Sequence, residues 1–98
     1  MNVYWTDTAV SHLFGIYGYI AQNSLMYAKR MVDKLTRRSE QISMFPMSGR
    51  KVPEYELENI REIIEKPYRI IYRIRKDRVD ILAVMHGAQL LPENANFT

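Results

Sequence analysis

Residues 60–87, IREIIEKPYRIIYRIRKDRVDILAVMHG, limit what this chain can fold into more than any other stretch. Apolar residues alternate or run on, and turn formers punctuate them. Pro67 separates the first two segments and Lys76-Asp77 the last two. The pattern predicts three consecutive strands, the first beginning at Ile60. In the middle one, Tyr68, Ile70, Tyr72 and Ile74 share one face and Arg69, Ile71, Arg73 and Arg75 the other. Val79 to Met85 is apolar apart from Asp80, as in an interior strand covered on both faces. Arg61, Arg69, Arg73, Arg75 and Arg78 fall inside the stretch and His86 closes it. Arginine repeated at period two predicts a surface that meets negative charge: RNA, the acidic arm of another protein, or only solvent.

Upstream, MNVYWT alternates well enough for a short first strand, and Thr6-Asp7-Thr8 offers N-cap chemistry for a helix. Ala9, Leu13, Ile16, Tyr17 and Ile20 form its apolar stripe. Gly15 and Gly18 each cost this helix about 1 kcal/mol relative to Ala. Close approach of a second helix offsets that cost; without it the helix is soft. Asn23-Ser24 interrupts the pattern, and Leu25, Ala28, Val32, Leu35 and Ile42, with Ser39 in the gap, set out a second helix of about five turns. Its outer face, with Lys29, Arg30, Lys34, Arg37, Arg38 and Glu40, reads as a solvated surface. The short joint predicts an antiparallel helical hairpin. Phe45 to Arg50 reads as a loop in which Gly49 supplies a backbone conformation other residues resist. Pro53 keeps the following residues out of regular helix. Leu90 to Thr98 has no period and is expected to lie along the surface. The expected architecture is α+β, in the order β-α-α-β-β-β over a single domain, residues 1–98. The hairpin packs on one face of an antiparallel sheet, and the first strand inserts beside a later one.

A chain of 98 residues holds one small domain, and 47% apolar residues suffice for its core. Without cysteine, disulfides and thiolate chemistry are excluded. His12 and His86 show no metal-ligand spacing, so neither metal nor cofactor is expected. No apolar run approaches the length of a membrane span and no secretory leader pattern opens the chain, so a cytoplasmic protein is expected. From Met1 to Ala28 the only formal charge is Asp7. A neutral quarter containing Tyr17, Tyr19 and Tyr27 predicts cover by the second helix or by a partner.

Seven short motifs carry a resemblance. They are W-T-x-x-A at Trp5, Thr6 and Ala9, I-Y-x-Y-I-A at Ile16 to Ala21, P-x-S-G-R at Pro46 to Arg50 and V-P-E-Y at Val52 to Tyr55. R-E at Arg61 and Glu62, Y-R-I-I-Y-R at Tyr68 to Arg73 and I-L-A-V-x-H-G-A at Ile81 to Ala88 complete the set. In this order, over nearly the whole chain, they resemble the RelE/ParE superfamily of toxins from type II toxin–antitoxin pairs. The resemblance implies a small toxin that arrests growth until an acidic, partly disordered antitoxin wraps its hairpin and sheet. It puts Tyr17, Tyr19, Arg69, Arg73 and Arg75 in that contact.

The superfamily divides. RelE-like chains cut mRNA on the ribosome, whereas ParE-like chains poison DNA gyrase and have no known chemistry of their own. RNA cleavage by 2′-hydroxyl attack needs a base, cations on the phosphate and an acid for the leaving oxygen. Glu62 is the candidate base, Arg69 or Arg73 the phosphate clamp, and His86 the base or acid. By strand parity His86 shares a face with Leu82 and Val84, which reads instead as a structural imidazole. Nothing after Arg78 is basic except His86, and no Tyr follows Tyr72, unlike RelE-like tails. The H-G-A ending is similar to ParE-like chains, with Gln89 where these often place Arg. The expectation is a ParE-like gyrase inhibitor with no catalytic residues and no specific DNA binding of its own. The alternative is a ribosome-dependent mRNA endonuclease built on Glu62, Arg69, Arg73 and His86. Trp5, Tyr68 and Tyr72 read as core, and Arg61, Arg69 and Arg73 as partners for Glu62, Glu65 or Asp80.

Overall fold

Thr6 joins the two layers of the protein in the computed structural model, which describes residues 1–97. Its hydroxyl oxygen accepts from the Ala9 amide at 3.2 Å and so caps α1 (Asp7–Ala21). The same hydroxyl donates to the Ile81 carbonyl at 2.8 Å, in the strand beneath. After residues 22–24 the chain folds back as α2 (Leu25–Met44), capped by Ser24, whose Oγ accepts from the Tyr27 amide. The predicted hairpin is therefore present, with the softer of the two readings for α1 and one difference in α2. A Cβ on Gly15 or Gly18 would meet nothing within 4 Å, so no helix approaches either glycine and their cost to α1 is not offset by packing. Leu25, placed on the inner stripe by spacing, is 60% exposed at the first position of α2; Ala28, Leu35 and Ile42 carry the buried side.

The strands are β1 (Asn2–Trp5), β2 (Arg50–Lys51), β3 (Ile60–Glu65), β4 (Tyr68–Ile74) and β5 (Arg78–His86), in the order β1-β5-β4-β3-β2. β3, β4 and β5 form an antiparallel meander, as the turn residues predicted. β1 runs parallel to β5 because the helical crossover returns the chain across the sheet, so the sheet is mixed, not wholly antiparallel. The two-residue β2, invisible to periodicity, adds an edge beside Arg61 and Glu62.

The sheet is covered on both faces. Toward the helices, Ile63, Tyr68, Ile70, Tyr72, Val79, Ile81 and Val84 pack with Ala9, Ile16, Leu35 and Ile42. Trp5 joins this core at its rim and donates from its indole to Ser39 Oγ at 2.8 Å. On the far face, Val52, Ile60, Ile71, Leu82 and Ala83 form a second cluster roofed by Tyr55, Leu91, Ala95 and Phe97. The tail is thus a cover rather than a surface rider. Tyr55 donates to the Pro92 carbonyl at 2.6 Å and Arg73 to the Ala95 carbonyl at 2.9 Å. Thr98, the last residue assigned to that tail, lies outside the described residues.

A bulge alters strand parity. Ile71 pairs with Ala83 and Tyr72 with Ile81, so Leu82 is the extra residue. Leu82 and Ala83 therefore both serve the far face, and His86 shares the helix side with Val84 but not with Leu82.

Gly49 also has a different role from the one expected. Its φ of −74° and ψ of 155° suit any residue. What demands glycine is space: a Cβ there would lie 2.4 Å from Tyr72 Oη and 2.7 Å from the Glu62 carbonyl oxygen. The Gly49 amide donates to Tyr72 Oη at 3.0 Å, and that hydroxyl donates onward to the Pro46 carbonyl at 2.6 Å. Gly49→Ala is expected to cost about 1–3 kcal/mol in urea unfolding, the usual range for overpacking. Gly18→Ala, in open space, is expected to add up to about 1 kcal/mol. Equal midpoints for the two variants would contradict this assignment.

Candidate functional site

The antiparallel pairing of β3 and β4 sets Glu62 opposite Ile71 and Ile64 opposite Arg69. Glu62 and Arg69 are therefore diagonal neighbours on the far face of the sheet. Arg69 Nε donates to Glu62 Oε1 at 2.7 Å, and its two terminal nitrogens grip the carboxylate of Glu54 at 3.0 Å each. Arg50 Nε donates to the other Glu62 oxygen at 2.6 Å. The Glu62 side chain is fully buried and that of Arg69 is 8% exposed. Both Glu62 oxygens are thus occupied by guanidinium groups. The hydrogen bond from Arg69 holds the Glu54 carboxyl below its ordinary range, and the bond to Glu54 raises the Arg69 pKa. Glu54 was not singled out from sequence, although it stands inside the V-P-E-Y motif.

Three of the other four arginines of the strand region also meet carboxylates. Arg75 Nε donates to Asp80 Oδ2 at 2.5 Å, and Arg78 Nε lies 2.9 Å from Oδ1 at an angle that makes it an ion pair rather than a hydrogen bond. Arg61 pairs with Tyr72 across the strands and so faces the helices, not the far side. It bonds to the Gly49 carbonyl at 2.9 Å and to Glu58 at 3.2 Å. Glu65 takes Arg38 from α2 at 3.1 Å. Arg73 alone of the five strand-region arginines has no carboxylate partner among the described residues; it holds the tail through Ala95. With Arg75, Asp80, Thr6 and Phe97 it lines an open cleft of about 460 Å³. The surface expected to attract negative charge is therefore largely neutralised by its own carboxylates.

His86 stands apart from the three residues grouped with it in the nuclease alternative. It pairs with Tyr68, on the helix side, and the two rings meet edge to face at 6.0 Å. Arg69 pairs with Met85 and points the other way. Glu62, Arg69 and Arg73 thus share the far face while His86 lies on the near one. The His86 ring is exposed, its Nδ1 accepts from the Ala88 amide at 3.1 Å, and its own amide donates to Gln89 Oε1 at 2.6 Å. His12, unassigned in the sequence beyond its lack of metal spacing, meets the edge of β5 where β1 no longer pairs with it. Its Nδ1 accepts from the Val84 amide at 3.2 Å, and burial lowers its pKa.

Tyr17 and Tyr19 lie on α1, in the other layer from Arg69, Arg73 and Arg75. Tyr17 is half-buried and lines a small cleft of about 120 Å³ with Val10, Leu13, Phe14 and Val32. Phe14 is 73% and Tyr19 70% exposed, an apolar outer face on a helix whose only charge is Asp7. No cluster of three or more potential metal ligands occurs among the described residues, and none of their helices is long and apolar enough to cross a membrane.

Residues 3–91 match the family described as the ParE toxin of the type II toxin–antitoxin system parDE. Toxin RelE2 of Caulobacter vibrioides is 32% identical over 90 residues, which span 91% of this chain and 98% of that one. The fold is shared with the chromosomal ParDE toxin–antitoxin system of P. aeruginosa, at a TM-score of 0.72 and 21% identity over 88% of this chain and 95% of that one. It is shared also with the RelBE2 toxin–antitoxin complex of Mycobacterium tuberculosis, at 0.65 and 24% over 87% and 95%. The YoeB dimer of Staphylococcus aureus follows at 0.59 and 20%, over 88% and 95%. Relatives named for both branches match over nearly their whole length.

Removing Arg69 leaves buried Glu62 with Arg50 alone. Arg69→Met is expected to lower unfolding free energy by about 3–5 kcal/mol, the usual cost of breaking a buried pair. The double change Arg69→Met/Glu62→Met is expected to cost less than the single one, and additive losses would contradict the pairing. Because the pKa of Glu54 is lower folded than unfolded, its bond adds stability above the unfolded value and loses it as pH falls through the folded one. The urea midpoint should therefore fall as pH drops below the ordinary carboxylate value of 4.5 and through the lower folded one, and Glu54→Gln should flatten that fall.

Proposed function

Because this chain belongs to the ParE toxin family of type II toxin–antitoxin systems, we propose that it arrests growth by inhibiting DNA gyrase in the cytoplasm. A cognate antitoxin silences it by direct binding. The observation that carries the reading is the division of the alternative nuclease set across the sheet. A phosphodiester can be clamped by Arg69 or Arg73 or approached by His86, but one phosphate does not reach both sides of a sheet. Glu62, as the base, is buried with both oxygens held by arginines. General acid–base chemistry needs its groups within hydrogen-bond reach of one reacting centre, and these residues offer no such centre. This division supports a toxin that works as a binding surface.

The antitoxin has two surfaces available. One is the apolar outer face of α1, with Phe14, Tyr17 and Tyr19 as anchors for an amphipathic segment. The other is the cleft at Arg73, where a carboxylate from the partner would supply the acidic partner that Arg73 lacks within the described part of its own chain. Arg69 and Arg75, already paired, contribute through the shape of that face.

Gyrase supercoiling of a plasmid, run with excess purified toxin and stopped with detergent and protease, tests the proposal. Loss of supercoiling together with linear DNA is the expected result. Intact supercoiling by a toxin that still stops growth would overturn it and turn attention to mRNA on the ribosome.

A further inference from the structure

The whole net charge of the chain resides on one helix. α2 holds Lys29, Arg30, Lys34, Arg37 and Arg38 against Asp33 and Glu40, a net of +3 and equal to that of the full sequence. The remaining residues balance to zero, and the ion pairs of the strand region show how. On α2 only Arg38 is paired, to Glu65; Lys29, Arg30, Lys34 and Arg37 are exposed and have no carboxylate within ion-pair distance among the described residues. Helical periodicity sorts these groups. Tyr27, Arg30, Lys34 and Arg37 recur at intervals of three, four and three residues and form one strip along the helix. Lys29, Asp33 and Glu40 form the neighbouring strip. Tyr27 at the head of the cationic strip is 61% exposed, and the Arg30 guanidinium lies 5.8 Å over its ring.

We propose that this strip of α2 is a binding site for single-stranded nucleic acid, with Arg30, Lys34 and Arg37 on the phosphates and the Tyr27 ring as a platform for a base. Cations one turn apart are about 5–6 Å from one another at Cβ, a spacing that lets each meet its own phosphate along an extended strand. An exposed aromatic beside a guanidinium is what distinguishes this surface from a merely solvated helix, since base stacking next to a charged groove is how sequence-tolerant single-strand binding is built. An acidic protein segment would use the cations but has no need of the ring. The strip is separate from the apolar face of α1 and from the arginines of the sheet, so the inference does not depend on the gyrase reading.

The test is fluorescence anisotropy of short oligouridine and oligothymidine probes, titrated with the toxin over a series of salt concentrations. The expected result is salt-dependent binding that Arg30→Gln/Lys34→Gln/Arg37→Gln weakens at least about tenfold. The slope of log affinity on log salt should shrink by about 2 units, at about 0.7 for each cation removed from a single-strand contact. Tyr27→Ala should weaken binding roughly tenfold through lost stacking. Lys76→Gln, a cation outside the strip, should bind as the parent does. All five positions are exposed, and an unchanged unfolding midpoint checks that the variants fold. Failure of the parent to bind either probe, or a triple variant that binds equally well, overturns the proposal. So does displacement of the probes by polyglutamate at equal concentration, which would mark the strip as a landing surface for an acidic protein.

Discussion

The buried pair of Glu62 and Arg69 is the constraint around which the far face of the sheet is arranged. A carboxylate with no exposed surface is stable only if its charge is met, and Arg69 and Arg50 meet it from two directions. That requirement fixes more than two side chains. Glu62 and Arg69 are diagonal across β3 and β4, so a slip of one residue would turn the carboxylate into the apolar helix-side core. It also draws in Arg50 and Glu54, and with them the loop that leads from Gly49 to Val52. Gly49 lies against the carbonyl of the same Glu62 and against Tyr72, which is why that loop approaches closer than any side chain would permit. A buried pair of this kind contributes little net stability, but breaking it leaves a buried charge unmet.

The same pairing explains how much of the structure was legible in the sequence. The meander of β3, β4 and β5 was legible because its faces alternate and its turns carry Pro67 and Lys76-Asp77. The hairpin was legible because cap chemistry at Thr6 and the break at Asn23-Ser24 set off two apolar stripes. What was not legible depended on contacts distant in sequence. The bulge at Leu82 is invisible in an apolar run, since neither neighbour reports a change of face, and it moved Leu82 away from His86. The parallel placement of β1, the two-residue β2 and the roof made by Leu91, Ala95 and Phe97 have no periodic signal. The site residues followed the same division. Periodicity gathered Arg69, Arg73 and Arg75 on one face correctly and Glu62 was among the partners expected for Arg69, but Glu54 comes from a loop and Asp80 takes Arg75 rather than Arg73. A row of arginines that looked open to a partner is therefore mostly closed.

That outcome reverses the expected distribution of available charge. The sheet, richest in arginine, offers little free charge; α2, which read as ordinary solvated surface, carries all of the surplus. The neutral outer face of α1 lies beside it. The sheet, α2 and the outer face of α1 thus present surfaces of different chemistry. A fold shared by both branches of the superfamily does not choose among activities. The choice comes from side-chain placement, and of the four candidates Glu62, Arg69 and Arg73 lie on one face of the sheet and His86 on the other.

A toxin that acts by binding needs no acid–base chemistry from His86. Growth arrest by the His86→Ala toxin, expressed without antitoxin and checked for a native circular dichroism spectrum, tests it most directly. Arrest as complete as with the parent chain is expected, because the exposed imidazole accepts a hydrogen bond from the nearby Ala88 amide and touches Tyr68. A folded variant that leaves growth unimpeded would contradict it and restore the near face of the sheet as a catalytic surface.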